Sequence, residues 1–434
     1  MNAARFGRLA VFGAAVALAL PIAAQANEVT KWNEIAVNTV LAQPPIASGA
    51  PAAGVFLATV QGAVYGAANA VDRHGKPYLI DRSFPKASLD AAVATAAFGV
   101  LDGTFSAQHA TFQAAYDASL LAIPDGSSKA QGIAVGRMAA DAMLAQGHFN
   151  PIVITCASGS GPGDWQPLTG ANGLLCDPTP WVRGAVPFLV QSADQFRTAG
   201  PYALDSPAYA ADVNEVERWG AIDSTARSPE QTHLAVFWQS NPAGNYNGVA
   251  RRFVDQLSLS TRDSALLFAM IDLNAADAII NTWNDKYHWR FWRPITAIRN
   301  ADTDGNPDTT KAAGWTPLFD PSLDPSIGGI GPPTPPPLVT PPYPDHPSGQ
   351  TAYASATMHA FQSFFGTDDM TFYLTSSRFP GEHQSYDHFS AVVNQVVEAR
   401  IWAGIHFRNT DVQAANLGRQ VEAYTHEHQF DFVR

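Results

Sequence analysis

The chain has 434 residues, of which 46% are hydrophobic and 15% are charged, and its formal net charge is −12. This length and apolar content suffice for a large hydrophobic core. The acidic balance argues against nucleic acids and anionic membranes as partners, because both carry negative charge.

The first 26 residues have the pattern of a secretory signal peptide. Arg5 and Arg8 give a positive start, Leu9 to Ile22 form a short apolar run, and Ala24-Gln-Ala26 is a cleavage site of small residues. An uncleaved membrane anchor is the alternative. Cleavage removes two arginines and no acidic residue, and so takes the formal net charge from −12 to −14. We find no later segment that is long and apolar enough to cross a bilayer, and therefore expect an exported, soluble mature protein.

Residues 27–250 are predicted to form an N-terminal helical region with a long loop at 150–201. Alanine-rich segments, interrupted by glycine and proline, indicate the helices. Ser127 and Ser128 follow a turn and can cap one of them. The predicted helices span 27–43, 88–97, 106–121, 127–146, 212–220, 228–239 and 243–257.

The loop at 150–201 is rich in Gly and Pro, and we expect Trp165 and Trp181 to hold it against the body of the protein. Cys156 and Cys176 are the two cysteines of the chain. In an oxidising compartment an even number of cysteines favours a disulfide. Two separate buried thiols are the alternative.

Residues 251–434 are predicted to form a C-terminal helical region. Its first helix begins at a capping motif, Ser260-Thr-Arg-Asp263, and is long. Lys286 continues the apolar stripe of that helix, three residues after Trp283, so its side chain should point inward. Arg400 lies on the apolar face of a later helix, and a buried guanidinium must be paired. The later predicted helices span 351–365, 386–405 and 412–426.

The segment between these helices, 302–347, is predicted to be mostly loop. Asp302 to Asp308 resembles a calcium-binding loop, but its glycine is misplaced for an EF-hand, and a solvated turn is the alternative. The run from Pro332 to Pro347 is dense in proline and therefore stiff. It is either a disordered linker or a rigid strap that delivers Ser348 to a site. The aromatic Tyr343 favours the strap.

Cationic side chains and groups that donate hydrogen bonds to anions occur at fixed spacing in three segments of the C-terminal region. Forked guanidinium donors, an ammonium, a hydroxyl and glycine amides are the groups that bind a tetrahedral oxyanion such as phosphate or vanadate. We see no cluster of metal ligands beside them. The set comprises Lys286, Arg293, Ser348, Gly349, Arg400 and His406.

These segments resemble the superfamily that unites type 2 phosphatidic acid phosphatases, bacterial acid phosphatases and vanadium-dependent haloperoxidases, whose pattern is K-x6-RP, then PSGH, then SR-x5-H-x3-D. The chain has Lys286-x6-Arg293-Pro294, Pro347-Ser-Gly-Gln350 and Ala399-Arg400-x5-His406, over residues 286–411. The chain resembles the bacterial haloperoxidase branch more than the small phosphatases. The resemblance lies in its length, its signal peptide and the sequences around Trp283 and Tyr343.

The resemblance implies an all-α fold built from helical bundles, here with long Pro/Gly-rich loops. It implies that His406 is the vanadate ligand of a haloperoxidase or the phosphohistidine nucleophile of a phosphatase. The other five residues of the set would bind the oxyanion, and Trp283, Tyr343 and Asp411 would support it. Vanadate would be the cofactor, with phosphate in its place in a phosphatase.

Two positions depart from the family pattern. Gln350 stands where the family has its acid–base histidine, and an amide has no titratable proton near neutral pH. His346 is our preferred substitute. Asp411 stands one residue beyond the family aspartate, with Thr410 at the usual place, so His406 should take its orienting hydrogen bond elsewhere.

Our first hypothesis is a vanadate-dependent haloperoxidase-like enzyme that acts on hydrogen peroxide, a halide and an organic acceptor. A phosphomonoesterase that uses His406 as nucleophile is the second. The third is a protein that binds an oxyanion with little or no turnover, because Gln350 cannot act as an acid.

Overall fold

The computed structural model describes residues 27–149, 156, 159–170, 173–320 and 339–431. The predicted signal peptide and the first part of the proline strap lie outside these residues. Helices dominate the described chain, which confirms the all-α class. The helices are α1 (Glu28–Leu41), α2 (Pro45–Ser48), α3 (Ala50–Val71), α4 (Leu89–Thr104), α5 (His109–Leu121), α6 (Ser127–Ala145), α7 (Pro207–Gly220), α8 (Pro229–Phe237), α9 (Pro242–Leu257), α10 (Thr261–Trp289), α11 (Pro294–Arg299), α12 (Gly349–Phe365), α13 (Phe389–Trp402) and α14 (Arg408–Thr425).

Capping side chains set the start of several helices. The Ser260 side chain accepts a hydrogen bond from the backbone N–H of Asp263 and begins α10, as the motif predicts. Ser228 and Gln231 form a reciprocal capping box at the start of α8. The expected serine cap of α6 is wrong, because Ser127 is already helical and Gly126 stands at the cap position without a side-chain bond.

Helix α3 is absent from the predicted elements, and the reason is its burial. Nearly all of its 22 residues are buried, so its sequence has no polar face and no period of 3.6. Helix α10 packs against both α3 and α12, and α12 packs against α14. The main apolar core accordingly contains residues from both predicted regions, from Val29 to Phe430. The boundary proposed between residues 250 and 251 stays a prediction.

Helices α3 and α10 are long and apolar enough to cross a membrane by length and composition, which corrects the expectation that no such segment follows the signal. In each of them 94% of the apolar window is buried inside the protein. Burial of this kind is typical of the core helices of a globular fold.

Two small antiparallel hairpins interrupt the helices: β1 (Leu168–Gly170) with β2 (Gly173–Leu175), and β3 (Asp369–Thr375) with β4 (His383–His388). The predicted helix at 386–405 therefore begins later, at Phe389. In β4 only Tyr386 is buried, and it stacks on Phe372 across the hairpin. The polar residues on either side of Tyr386 face solvent, as the period of a strand requires.

The long loop of the N-terminal region carries β1, β2 and a short 3-10 helix (Pro180–Gly184). The predicted disulfide between Cys156 and Cys176 is present. At 302–308, Asp304 accepts hydrogen bonds from the backbone of Asn306 and the hydroxyl of Thr309, and Asp302 pairs with Lys311. These bonds are typical of a turn, the alternative to a calcium loop, but Asp304 and Asn306 are buried rather than solvated.

Close packing of α4 and α6 predicts a specific loss of stability. A Cβ at Gly136 would lie 2.5 Å from the carbonyl oxygen of Ala92. Gly136→Ala should therefore lower the free energy of unfolding by about 1–3 kcal/mol, although alanine is the better helix former. The measurement is urea unfolding of the purified protein.

Gly248→Ala in α9 is the matched control, because its Cβ would meet nothing nearer than an arginine tip at 3.5 Å. It should raise stability by up to about 1 kcal/mol. Equal effects of the two substitutions would contradict this account of the packing.

Candidate oxyanion-binding site

Five helix ends bring the three motifs to one place. Lys286 lies in the last turn of α10, Arg293 precedes α11, Ser348 is the N-cap residue of α12, and Arg400 lies in the last turn of α13. His406 precedes α14. All of these side chains are buried. The six residues predicted from the motifs are thus brought together.

A cavity of about 300 Å³ opens beside these residues. Gly349, Gln350, Arg400 and His406 belong to its lining. Trp283, Tyr343 and Tyr353 line it with aromatic rings, and residues from 45–51 and 239–242, with Ile279, Pro341 and Ile405, complete the lining. Among the described residues, no carboxyl group and no second histidine lines this cavity.

Lys286 is held by backbone carbonyls. Its ammonium donates to the carbonyl oxygens of Pro344 (2.9 Å) and Asp345 (2.8 Å) on the proline strap. Burial lowers the pKa of Lys286, and neighbouring Arg293 lowers it further. The ammonium also lies 5.6 Å from the ring centre of Trp283 and 5.2 Å from that of Tyr343, where the faces of the rings favour a cation.

Arg293 joins the strap to the histidine. Its Nε donates to the carbonyl oxygen of Tyr343 at 2.8 Å, and one Nη donates to the carbonyl oxygen of Ile405 at 2.7 Å. The same nitrogen lies 3.2 Å from Nε2 of His406. Because a guanidinium only donates, this contact requires an unprotonated Nε2.

His406 donates its orienting hydrogen bond to Asp345, a partner that the sequence did not reveal. Nδ1 of His406 lies 2.8 Å from Oδ1 of Asp345, so the ring carries its proton on Nδ1 and presents the lone pair of Nε2. Burial and the neighbouring cations Arg293 and Lys286 lower the pKa of His406 well below its usual value. Burial raises the pKa of Asp345 to about 7, against the opposing effect of Arg293. A neutral His406 is the form that can ligate a metal oxyanion or attack phosphorus.

Asp345 is difficult to identify from the sequence, because 61 residues separate it from His406. The available signal is its place two residues before Pro347, in a strap that must pass beside the site. A second clue is Thr410, which donates to the other carboxylate oxygen of Asp345 from the position of the family aspartate.

Asp411 supports the other side of the site. Thr351 donates to Asp411 at 2.6 Å, and the hydroxyl groups of Ser348 and Thr351 lie 3.1 Å apart. Gly349 follows at the N-terminus of α12, where the helix dipole favours an anion. A Cβ at Gly349 would lie 2.6 Å from the ring of Trp283, so only glycine fits there.

Gln350 is fixed by two hydrogen bonds. Its amide nitrogen donates to the carbonyl oxygen of Trp238 at 2.5 Å, and its amide oxygen accepts from one Nη of Arg400. The residue that replaces the family histidine therefore holds an arginine of the site. Burial lowers the pKa of Arg400 to about 10, which leaves it charged at neutral pH.

The preferred substitute acid, His346, does not line the cavity. Nε2 of His346 lies 2.9 Å from the hydroxyl of Thr198, whose proton goes to Asp285, so Nε2 carries the proton and donates. Nδ1 lies 3.3 Å from the hydroxyl of Thr410. Burial lowers the pKa of His346 to about 3, so the ring is neutral at the pH at which a general acid would be needed.

The donor set fits a bound oxyanion. Nε and one Nη of Arg400 and one Nη of Arg293 are buried and have no hydrogen-bond acceptor among the residues that the structure describes. Buried N–H groups are rarely left without a partner. An anion in the cavity would supply the missing acceptors.

Comparisons with known proteins identify relatives of this chain and of its fold. Residues 266–434 match a family model described as the VCPO second helical-bundle domain. The vanadium chloroperoxidase of Curvularia inaequalis is 26% identical over 216 residues, which are 43% of this chain and 33% of that protein. The match thus spans about a third of the length of that relative.

Two solved structures have the same fold at low identity. One is described as a bacterial vanadium-dependent iodoperoxidase, with a TM-score of 0.71, 20% identity, and coverage of 94% of this chain and 97% of that chain. The other is a holo-type bacterial vanadium-dependent chloroperoxidase, with a TM-score of 0.65, 18% identity, and coverage of 89% and 93%.

The lowered pKa of His346 predicts a loss of stability in acid. The unfolded chain takes up this proton near pH 6.5, whereas the folded chain takes it up only near pH 3. Stability should therefore fall as the pH drops through this window, by about 2 kcal/mol between pH 7 and pH 5. His346→Gln should remove this contribution in urea unfolding at the two pH values.

The exposed His288 supplies the control, because His288→Gln should keep the wild-type dependence on pH. The same dependence in His346→Gln would contradict the assignment.

Proposed function

Because the chain belongs to the superfamily that unites vanadium-dependent haloperoxidases with type 2 phosphatidic acid phosphatases, we propose that it is a vanadate-dependent haloperoxidase-like enzyme that oxidises a halide with hydrogen peroxide. The observation that carries the proposal is the neutral imidazole of His406, whose unprotonated Nε2 accepts from Arg293 and lies near three buried cations. That arrangement suits a bond between Nε2 and an oxyanion whose remaining oxygens accept hydrogen bonds.

Each residue of the site has a role in this proposal. His406 would hold vanadate through Nε2, and Asp345 keeps the imidazole in the required tautomer. Lys286, Arg293 and Arg400 would neutralise the anion, with Ser348 and the amide of Gly349 as further donors. Bound vanadate supplies a Lewis acid that activates hydrogen peroxide. Tyr343 and Trp283 shape the wall where the halide would approach.

Gln350 favours the peroxidase over the phosphatase alternative. Hydrolysis of a phosphomonoester needs a proton for the leaving alcohol, and general acid catalysis commonly contributes about a hundredfold or more. The titratable side chains that line the described cavity are Tyr343, Tyr353, Arg400 and His406. Burial raises the pKa of Tyr343 to about 12, so it is a weak acid. Hydrogen peroxide brings its own protons, so its activation proceeds without such a group, although more slowly.

Two alternative functions would use the same oxyanion-binding residues. A phosphatase that forms a phosphohistidine at His406 would be inhibited by vanadate, which mimics its transition state. A protein that binds an oxyanion with little turnover would bind phosphate or vanadate and produce nothing. Hydrogen peroxide, halide and an organic acceptor are the partners of the first proposal, and a phosphomonoester is the partner of the phosphatase.

We also propose that the mature protein begins at Asn27, is exported, and acts outside the cytoplasm without a membrane span. The signal-like pattern at 1–26 and the disulfide support this proposal. N-terminal sequencing of the exported fraction tests it, and a protein retained with its first residues intact would contradict it.

The first test is bromination of a phenolic dye by the mature protein with hydrogen peroxide and bromide, with and without orthovanadate. We expect vanadate-dependent bromination that falls more than about a hundredfold in His406→Ala, because the ligand is lost. His288→Ala, in the last turn of α10 and exposed, is the control and should retain activity. Phosphomonoester hydrolysis that vanadate inhibits, without bromination, would select the phosphatase instead.

Gln350→His tests the missing acid. The imidazole places a titratable group in the lining of the cavity, so the bromination rate at saturating vanadate should rise by about tenfold or more. The variant also loses the amide that holds Arg400, and so vanadate should bind more weakly.

Gln239→His is the matched control for this experiment, because it places an imidazole in the same cavity through a different element. No gain in rate for Gln350→His, or an equal gain in Gln239→His, would contradict the role assigned to position 350.

A further inference from the structure

The segment closed by the Cys156–Cys176 disulfide contacts the end of the lysine–arginine motif. We call the described residues 156, 159–170 and 173–177 the disulfide segment. The backbone N–H of Trp165 donates to the carbonyl oxygen of Arg290 at 2.7 Å, and the N–H of Trp292 donates to the carbonyl oxygen of Gly163 at 2.8 Å. The backbone that leads into Arg293 is therefore paired with the disulfide segment.

The same segment contacts the beginning of the motif through Asp177, the residue after Cys176. Its Oδ2 accepts hydrogen bonds from the indole N–H of Trp283 at 3.0 Å and from the hydroxyl of Tyr287 at 2.8 Å. Its Oδ1 accepts from the backbone and hydroxyl of Thr179. The carboxylate thus links a loop to two residues that flank Lys286 on α10.

Trp283 transmits this contact to the oxyanion site. Its ring lines the cavity, leaves no room for a side chain at Gly349, and lies 5.6 Å from the ammonium of Lys286. A rotation of the indole would therefore move one wall of the cavity and collide with the start of α12. Asp177 also adds a negative charge near Lys286, which opposes the effect of burial on the pKa of the lysine.

We propose that Asp177 is a positioning residue for the oxyanion site, that it acts through Trp283, and that the Cys156–Cys176 disulfide holds it in place. Affinity for an oxyanion then depends on the oxidation state of these cysteines. The inference rests on the proposed function only in that the site binds a tetrahedral oxyanion, and it requires no turnover.

Inorganic phosphate is the probe, and its dissociation constant is measured by titration calorimetry on the mature protein. Asp177→Asn should weaken phosphate binding by about tenfold or more, as loss of a supporting partner commonly does. Trp283→Phe keeps an aromatic wall but removes the indole N–H, and should weaken binding similarly. The double variant should be weakened by less than the product of the two single effects, because both changes affect the hydrogen bond between Trp283 and Asp177. The exposed Asp205→Asn is the control and should bind as wild type.

Reduction of the wild-type protein gives a second measurement that needs no substitution. After treatment with dithiothreitol, with two free thiols counted, phosphate binding should weaken by about tenfold, and reoxidation should restore it. If Asp177→Asn does not fold, the reduction experiment and Trp283→Phe together test whether phosphate binding depends on this contact.

Wild-type affinity in Asp177→Asn, or effects that multiply in the double variant, would overturn the role of Asp177. Unchanged affinity in the reduced protein would overturn the role of the disulfide, and a wild-type protein that binds no phosphate would overturn the inference as a whole. The phosphate affinities of the variants decide this proposal whatever the bromination assay shows, so the two proposals fail separately.

Discussion

Buried positive charge around one cavity constrains the rest of the structure. Lys286, Arg293 and Arg400 are removed from water, and a buried charge is costly unless other groups replace its hydration. Carbonyl oxygens of the proline strap and of Ile405 accept from Lys286 and Arg293. Asp345 and Asp411 balance part of the charge. The strap must therefore lie against the last turn of α10, and a bound anion would accept from the guanidinium nitrogens that have no acceptor among the described residues.

The strap combines two tasks that sequence analysis treats separately. Its backbone accepts from Lys286 and Arg293, and its side chain at Asp345 sets the tautomer of His406. A stiff, proline-dense segment suits this work, since it has few backbone N–H groups of its own to satisfy in a buried position. The position of His406 thus depends on the same segment that neutralises the cations.

The sequence predicts those parts of the site that depend on local spacing. The inward direction of Lys286 follows from the period of α10, and the cap at Ser260 follows from a local motif. Partners that meet only in the folded chain are harder to predict. Asp345 with His406 and Gln350 with Arg400 are examples, and so is α3, whose burial on all faces removes the periodic signal.

The central claim is that Nε2 of His406 anchors an oxyanion among the three cations. A crystal structure of the mature protein soaked with orthovanadate tests this claim most directly. The account predicts vanadium bonded to Nε2 of His406, with its oxygens facing the guanidinium nitrogens of Arg293 and Arg400 that now lack acceptors. Vanadate bound elsewhere, or held in the cavity without a bond to His406, would contradict it.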